Sequence, residues 1–81
     1  MKITVTKEDI QKGRRENPWF CPIARAIKRQ CKLTRSTVSV GERTATVNHK
    51  ILNIPKSAQS FIDKFDNKKS VKPFSFYLVG A

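Results

Sequence analysis

A fold built from this chain has to close around a thin core while carrying a net charge of +11 on 81 residues. Seventeen Lys and Arg face only six Asp and Glu. That excess repels itself when the chain is compact, so it points to a polyanionic partner rather than to the fold. A chain of this length buries only about 60–65% of the surface it exposes when unfolded. Apolar residues make up 38% of it, above the range of disordered chains, with five Phe, one Trp and one Tyr supplying most of the bulk. One domain spanning residues 1–81 is expected.

Hydrophobic period then places the elements. Lys2-Ile3-Thr4-Val5 alternates as a short strand. Thr6 stands three residues before Asp9, a capping signature for a short helix from Lys7 to Lys12 that Gly13 stops. Residues 14–19 are polar, contain Asn17-Pro18 and read as a loop. Pro22 suits the first position of the clearest helix, whose apolar stripe is Phe20, Ile23, Ala24, Ile27 and Cys31 and which fades near Lys32 or Leu33. Val38 and Val40, a Gly41-Glu42 turn, and Ala45 and Val47 predict a hairpin. Asn48-His49-Lys50 turns the chain toward a third strand over residues 51–54. Ala58, Phe61, Ile62 and Phe65 form the stripe of a last helix that starts at Pro55. In the terminal strand Phe74, Phe76 and Leu78 face inward, with Ser75, Tyr77 and Val79 outward. The predicted class is α+β: a small single-layer antiparallel or mixed sheet with helices packed on one face.

Charge is unevenly placed. No acid occurs in residues 22–40, and Arg25, Lys28, Arg29 and Lys32 recur at i, i+3, i+4 and i+7 opposite the apolar stripe. Arg35 follows, and Arg14 and Arg15 precede in the loop. Together they predict a cationic strip of about 20–25 Å that could track a phosphate backbone. Trp19 and Phe20 lie beside these cations and could stack on unpaired bases, although in a chain short of bulk both rings are expected in the core. Tyr77 is either a surface platform or cross-strand filling. A second set, Lys56, Lys64, Lys68, Lys69 and Lys72, is interrupted by Asp63 and Asp66 and reads as an ordinary solvated surface.

Reactive chemistry is sparse. Cys21 precedes a helix start, where the dipole and nearby arginines should lower a thiol pKa; an N-cap role without reaction is the preferred reading. His49 is the only histidine and lies in a distant turn, so no Cys–His pair is visible. Two Cys and one His are too few for a four-ligand zinc site in one chain, and Cys31 fits the core. With the helix formed, the cysteines are about 15 Å apart by helical rise, too far for a disulfide. No phosphate loop or carboxylate pair is present, so no catalytic residue, metal or cofactor is assigned. The opening residues hold no apolar run of export-signal length, and no stretch approaches the roughly 20 apolar residues of a membrane span. A cytoplasmic protein with reduced thiols is expected.

The runs Lys2-Ile3-Thr4-Val5-Thr6-Lys7-Glu8-Asp9-Ile10, Cys21-Pro22-Ile23-Ala24-Arg25-Ala26 and Val71-Lys72-Pro73-Phe74-Ser75-Phe76 resemble a small orphan family of bacteriophage and prophage proteins. The resemblance spans most of the chain and implies a phage-encoded accessory protein in a bacterial cytoplasm, with no activity attached. Two functions follow as expectations. The first is non-enzymatic nucleic-acid binding, to DNA or RNA, through Arg14, Arg15, Trp19, Arg25, Lys28, Arg29, Lys32 and Arg35. The second is docking on an acidic host protein through the same strip or the outer face of the last strand.

Overall fold

The two ends of the chain meet in one antiparallel ladder. In the computed structural model, which describes residues 2–32 and 38–80, β1 (Lys2–Val5) pairs with β5 (Phe74–Tyr77), placing Ile3 opposite Phe76 and Val5 opposite Phe74. The terminal segment then passes through buried Leu78 and continues as β6 (Val79–Gly80) in a second sheet of order β2-β3-β4-β6. That sheet is a meander of β2 (Val38–Val40), β3 (Thr44–Val47) and β4 (Lys50–Asn53), closed by β6 against β4. The α+β class and antiparallel pairing are as expected. The strands divide between two small sheets because the last segment bonds β1 with its first half and β4 with its second, a corner made by a strand that switches sheets. Its inward set of Phe76 and Leu78, with Phe74 partly buried, keeps one phase through the corner.

Both hairpin turns depart from the expected positions. Gly41 donates to the Thr44 carbonyl at 2.8 Å, so Glu42 and Arg43, not Gly41 and Glu42, form the first turn, and Gly41 does not use positive φ. The second turn is Asn48-His49, at φ 50° and 69°. Two successive left-handed residues are the type I′ signature, which matches strand twist, and Asn and His tolerate that region better than most. Lys50 therefore begins β4 rather than ending the turn.

Among the described residues three helices cover the sheets. α1 (Lys7–Lys12) opens with the predicted capping box: the Thr6 hydroxyl accepts from Asp9 N–H, and the Asp9 carboxylate accepts from Thr6 N–H. α2 (Pro22–Cys31) buries Ile23, Ala24, Ala26 and Ile27 against β1 and β2. Gly13 links the two helices by close approach. A Cβ there would lie 2.6 Å from the Pro22 ring and 2.8 Å from the Asp9 carbonyl. α3 (Lys56–Asp66) buries Ala58, Phe61 and Phe65, and Phe61 stacks on Phe74 at 4.8 Å, with Phe74 against Phe76 at 5.5 Å. The expected contact between the last helix and the terminal strand is this aromatic row, and it belongs to one continuous core with Ile3, Val5, Ile23 and Ile27.

Candidate nucleic-acid interface

The α2 cations do not form a free strip. Asp9, 2% exposed, lies beneath them. Arg29 donates to its carboxylate at 2.7 Å and to the Thr4 carbonyl at 2.9 Å. The Arg25 Nε stands 3.9 Å from the same carboxylate, buried and without a hydrogen bond. Lys28 donates to the Trp19 carbonyl and lies over the Phe20 ring, 4.4 Å from its centroid. Gln30 completes this seam: its amide donates to the Lys2 carbonyl at 3.0 Å and accepts from Thr4 N–H, blunting the open edge of β1. The side of α2 that reads as solvent-facing thus stitches the helix to β1 and α1.

The loop before α2 is similarly occupied. Arg15 donates to the Phe65 carbonyl at 3.2 Å and sits over the Phe65 ring at 5.4 Å, placing a cation at the negative end of α3. Glu16 N–H donates to Asp66 at 2.9 Å, and the Asn17 side chain accepts from both Trp19 and Phe20 N–H. Trp19 is 52% exposed and Phe20 38%, so neither ring belongs to the core, contrary to expectation. The core fills instead with Ile, Val and the C-terminal Phe residues, and the Asn17 turn holds the two rings outward. Arg14 and Lys32 are exposed, with no ion pair among the described residues; Arg35 lies outside them.

α3 shows the opposite arrangement. Ser57, Ser60, Phe61 and Lys64 recur at i, i+3, i+4 and i+7 and line a cleft of about 440 Å³, closed on the other side by Lys72 and Phe74. Among the described residues no carboxylate lines it. Gln59, Ile62, Asp63 and Asp66 recur with the same spacing on the other flank and line a different cleft with Glu42 and Arg43. Asp63 and Asp66 therefore line a different cleft from Lys64 and Lys72. Glu16, Glu42 and Asp66 also meet around an adjoining cleft, so four of the six acids share one flank of α3. The remaining two sit at α1, Glu8 paired with Lys12 at 3.1 Å and Asp9 with Arg29. Both α3 spacings are visible in the sequence once the helix is assigned, and they are the signal that a linear reading of signs misses.

Cys21 is buried and caps α2, its Sγ accepting from Ala24 N–H at 3.4 Å. Burial pushes its thiol up, outweighing the Ala24 and Ile23 N–H groups that favour the thiolate. The expected lowering by a helix dipole and arginines is overturned. Desolvation wins; of the charged side chains Asp66 adds to it and Lys28 opposes it. The two cysteines are not joined. Among the described residues no three His, Cys, Asp or Glu side chains gather in a metal-holding cluster, and no helix is long and apolar enough to cross a membrane. No family model, curated protein or solved structure matches the chain.

Proposed function

We propose that this chain is a small, non-enzymatic nucleic-acid-binding protein that holds its partner mainly through phosphate contacts, as a phage-encoded accessory protein in a bacterial cytoplasm. The observation that carries this reading is the segregation of charge around α3. Four acids gather on one flank, and the other flank presents lysines and hydroxyls with no carboxylate among them. A +11 chain with most of its acids on one side offers a phosphate backbone an unopposed basic surface. The contacts fall to Lys64 and Lys72 at the cleft, to the neighbouring exposed Lys56, Lys68 and Lys69, and to Arg14 and Lys32 from the α2 side. Arg25, Arg29, Lys28 and Arg15 serve mainly as structural cations.

The test is titration of labelled DNA and RNA at 50 and 200 mM salt. Binding at about 10⁻⁴–10⁻⁶ M that weakens steeply with salt is expected of phosphate-led recognition. No binding at either salt would reject the reading.

The sheet favours a second one, docking on a host protein. Ile51 and Val79 share the outer face of the four-stranded sheet, and Tyr77 precedes Val79 by two residues; all three are exposed. Capture of a partner from bacterial lysate that survives nuclease treatment and is lost with Val79→Ser would favour docking.

A further inference from the structure

We propose that the cleft between α3 and residues 70–74 receives one unpaired nucleotide of a single-stranded DNA or RNA segment, its base against the Phe61–Phe74 wall and its phosphate at Lys64 and Lys72. The inference rests on the nucleic-acid reading above and names the form of nucleic acid. Three observations carry it.

The first is size. About 440 Å³ falls within the roughly 300–1,000 Å³ of small-ligand pockets. The second is polarity sorted within the cleft: Ser57, Ser60, Lys64 and Lys72 supply hydroxyl and ammonium donors, whereas Phe61, Phe74 and Val71 supply an apolar wall. A bare phosphate would leave that wall facing water, and an apolar ligand would leave the ammonium groups without a counterion. A nucleotide carries both halves on one small frame. The third is contrast. The cleft on the other flank of the same helix sets Glu42, Asp63 and Asp66 against one cation, Arg43, so an anion is favoured on the lysine side.

Concavity selects the strand form. A duplex offers its phosphates on a convex surface and keeps its bases stacked, so it can reach the lysines but not the wall. An unpaired strand can turn a base inward, as aromatic-lined single-strand sites require. Phe74 is only partly buried while its neighbour Phe76 is buried, so the ring at the mouth is Phe74.

The experiment compares oligo(dT), oligo(U), a duplex of equal length and polyglutamate of matched charge, by fluorescence anisotropy on the intact chain. Oligo(dT) and oligo(U) should each bind at least about 5-fold tighter than duplex, and the ratio between them reports the sugar preference. Phe74→Leu keeps an apolar side chain at the mouth. It should weaken single-strand binding about 5–10-fold, the lower end of what one base contact contributes, with the salt slope unchanged. Lys64→Gln with Lys72→Gln should flatten the single-strand slope by about 1.4 log units, about 0.7 per cation. Ser60→Asp, on the exposed rim, should weaken single-strand binding even if Phe74→Leu proves unstable. Equal binding of duplex and single strand with Ser60→Asp and Phe74→Leu both silent overturns the inference and leaves the nucleic-acid reading standing. Polyglutamate binding as tightly as oligo(dT) overturns it in favour of an acidic peptide. Absence of binding to every polynucleotide removes the reading on which it rests.

Discussion

The cations of α2 and those of α3 exchange roles between one dimension and three. Along the chain, α2 carries the acid-free run and α3 the interrupted one. In space, Asp9 from α1 rises beneath Arg25 and Arg29, while Asp63 and Asp66 turn away from the cleft that Lys64 lines. Sequence neighbours on a helix part by about 100° per residue, so a charge of opposite sign next to a lysine need not oppose it. A charge twenty residues distant can sit against an arginine, because packing rather than spacing brings the two together. A run of like charge is a statement about composition until every acid in the molecule has been placed.

The comparison is tested most severely through the wall behind the α3 cleft. Phe76→Ala should cost about 3–5 kcal/mol, measured by thermal or urea melting, because a fully packed ring is lost beneath Phe74. Tyr77→Ala, at a residue 63% exposed on the other face, should stay within about 0.5 kcal/mol. Equal losses would mean that both faces of the terminal strand are buried.

Next in size is the seam under α2. Arg29→Gln should destabilise by about 1.5–3 kcal/mol, since it removes a charge-assisted bond to the buried Asp9 carboxylate and another to the Thr4 carbonyl. Lys64→Gln should stay within about 0.5 kcal/mol. A neutral Arg29→Gln would return α2 to the solvent and restore the strip.

Binding should show the reverse order. Lys64→Gln with Lys72→Gln should flatten the slope of log K against log salt on duplex DNA by about 1.8 log units, about 0.9 per cation. Arg25→Gln, in which the lost cation is already opposed by Asp9, should change the slope by much less. A larger change from Arg25 would relocate the interface to α2.

The smallest effect concerns the cap that starts α2. Below the ordinary thiol pKa both states hold the Cys21 proton; above it, up to the raised native value, only the unfolded chain releases it. Native stability therefore falls as pH rises through about 8.5, with a limiting slope of about 1.4 kcal/mol per pH unit. Cys21→Ser keeps an N-cap acceptor and lacks the titration. Urea melts of both proteins at pH 7.5 and 9.5 should show the wild type losing more. Identical losses would mean that burial does not hold the thiol protonated.

Local signals wrote much of the architecture. The Thr6–Asp9 box, Pro22 after Cys21 and the stripe of Ala58, Phe61, Ile62 and Phe65 each encode an element through contacts within a few residues and stand where the pattern indicates, whereas the alternation of residues 74–79 is divided between β5 and β6. Turn positions were less legible. Gly41 drew the first turn one residue early, although the hairpin uses Glu42 and Arg43 without positive φ.

The candidate site divides in the same way. Two flanks of α3 were present in the sequence as interleaved helical spacings, and the opposed signs on them needed only the helix to be sorted. Which cations are spent on the fold was not present there. Arg29 on Asp9, Arg15 on Phe65 and Lys28 on Phe20 join residues 8 to 50 positions apart, and Trp19 is exposed where the Asn17 turn holds it while other apolar groups fill the core. By itself the sequence determined the elements and the sign of the net charge, since period and charge are properties of the chain. Only the tertiary structure decided which charges are paired within the fold, since a salt bridge forms wherever packing brings two side chains within reach.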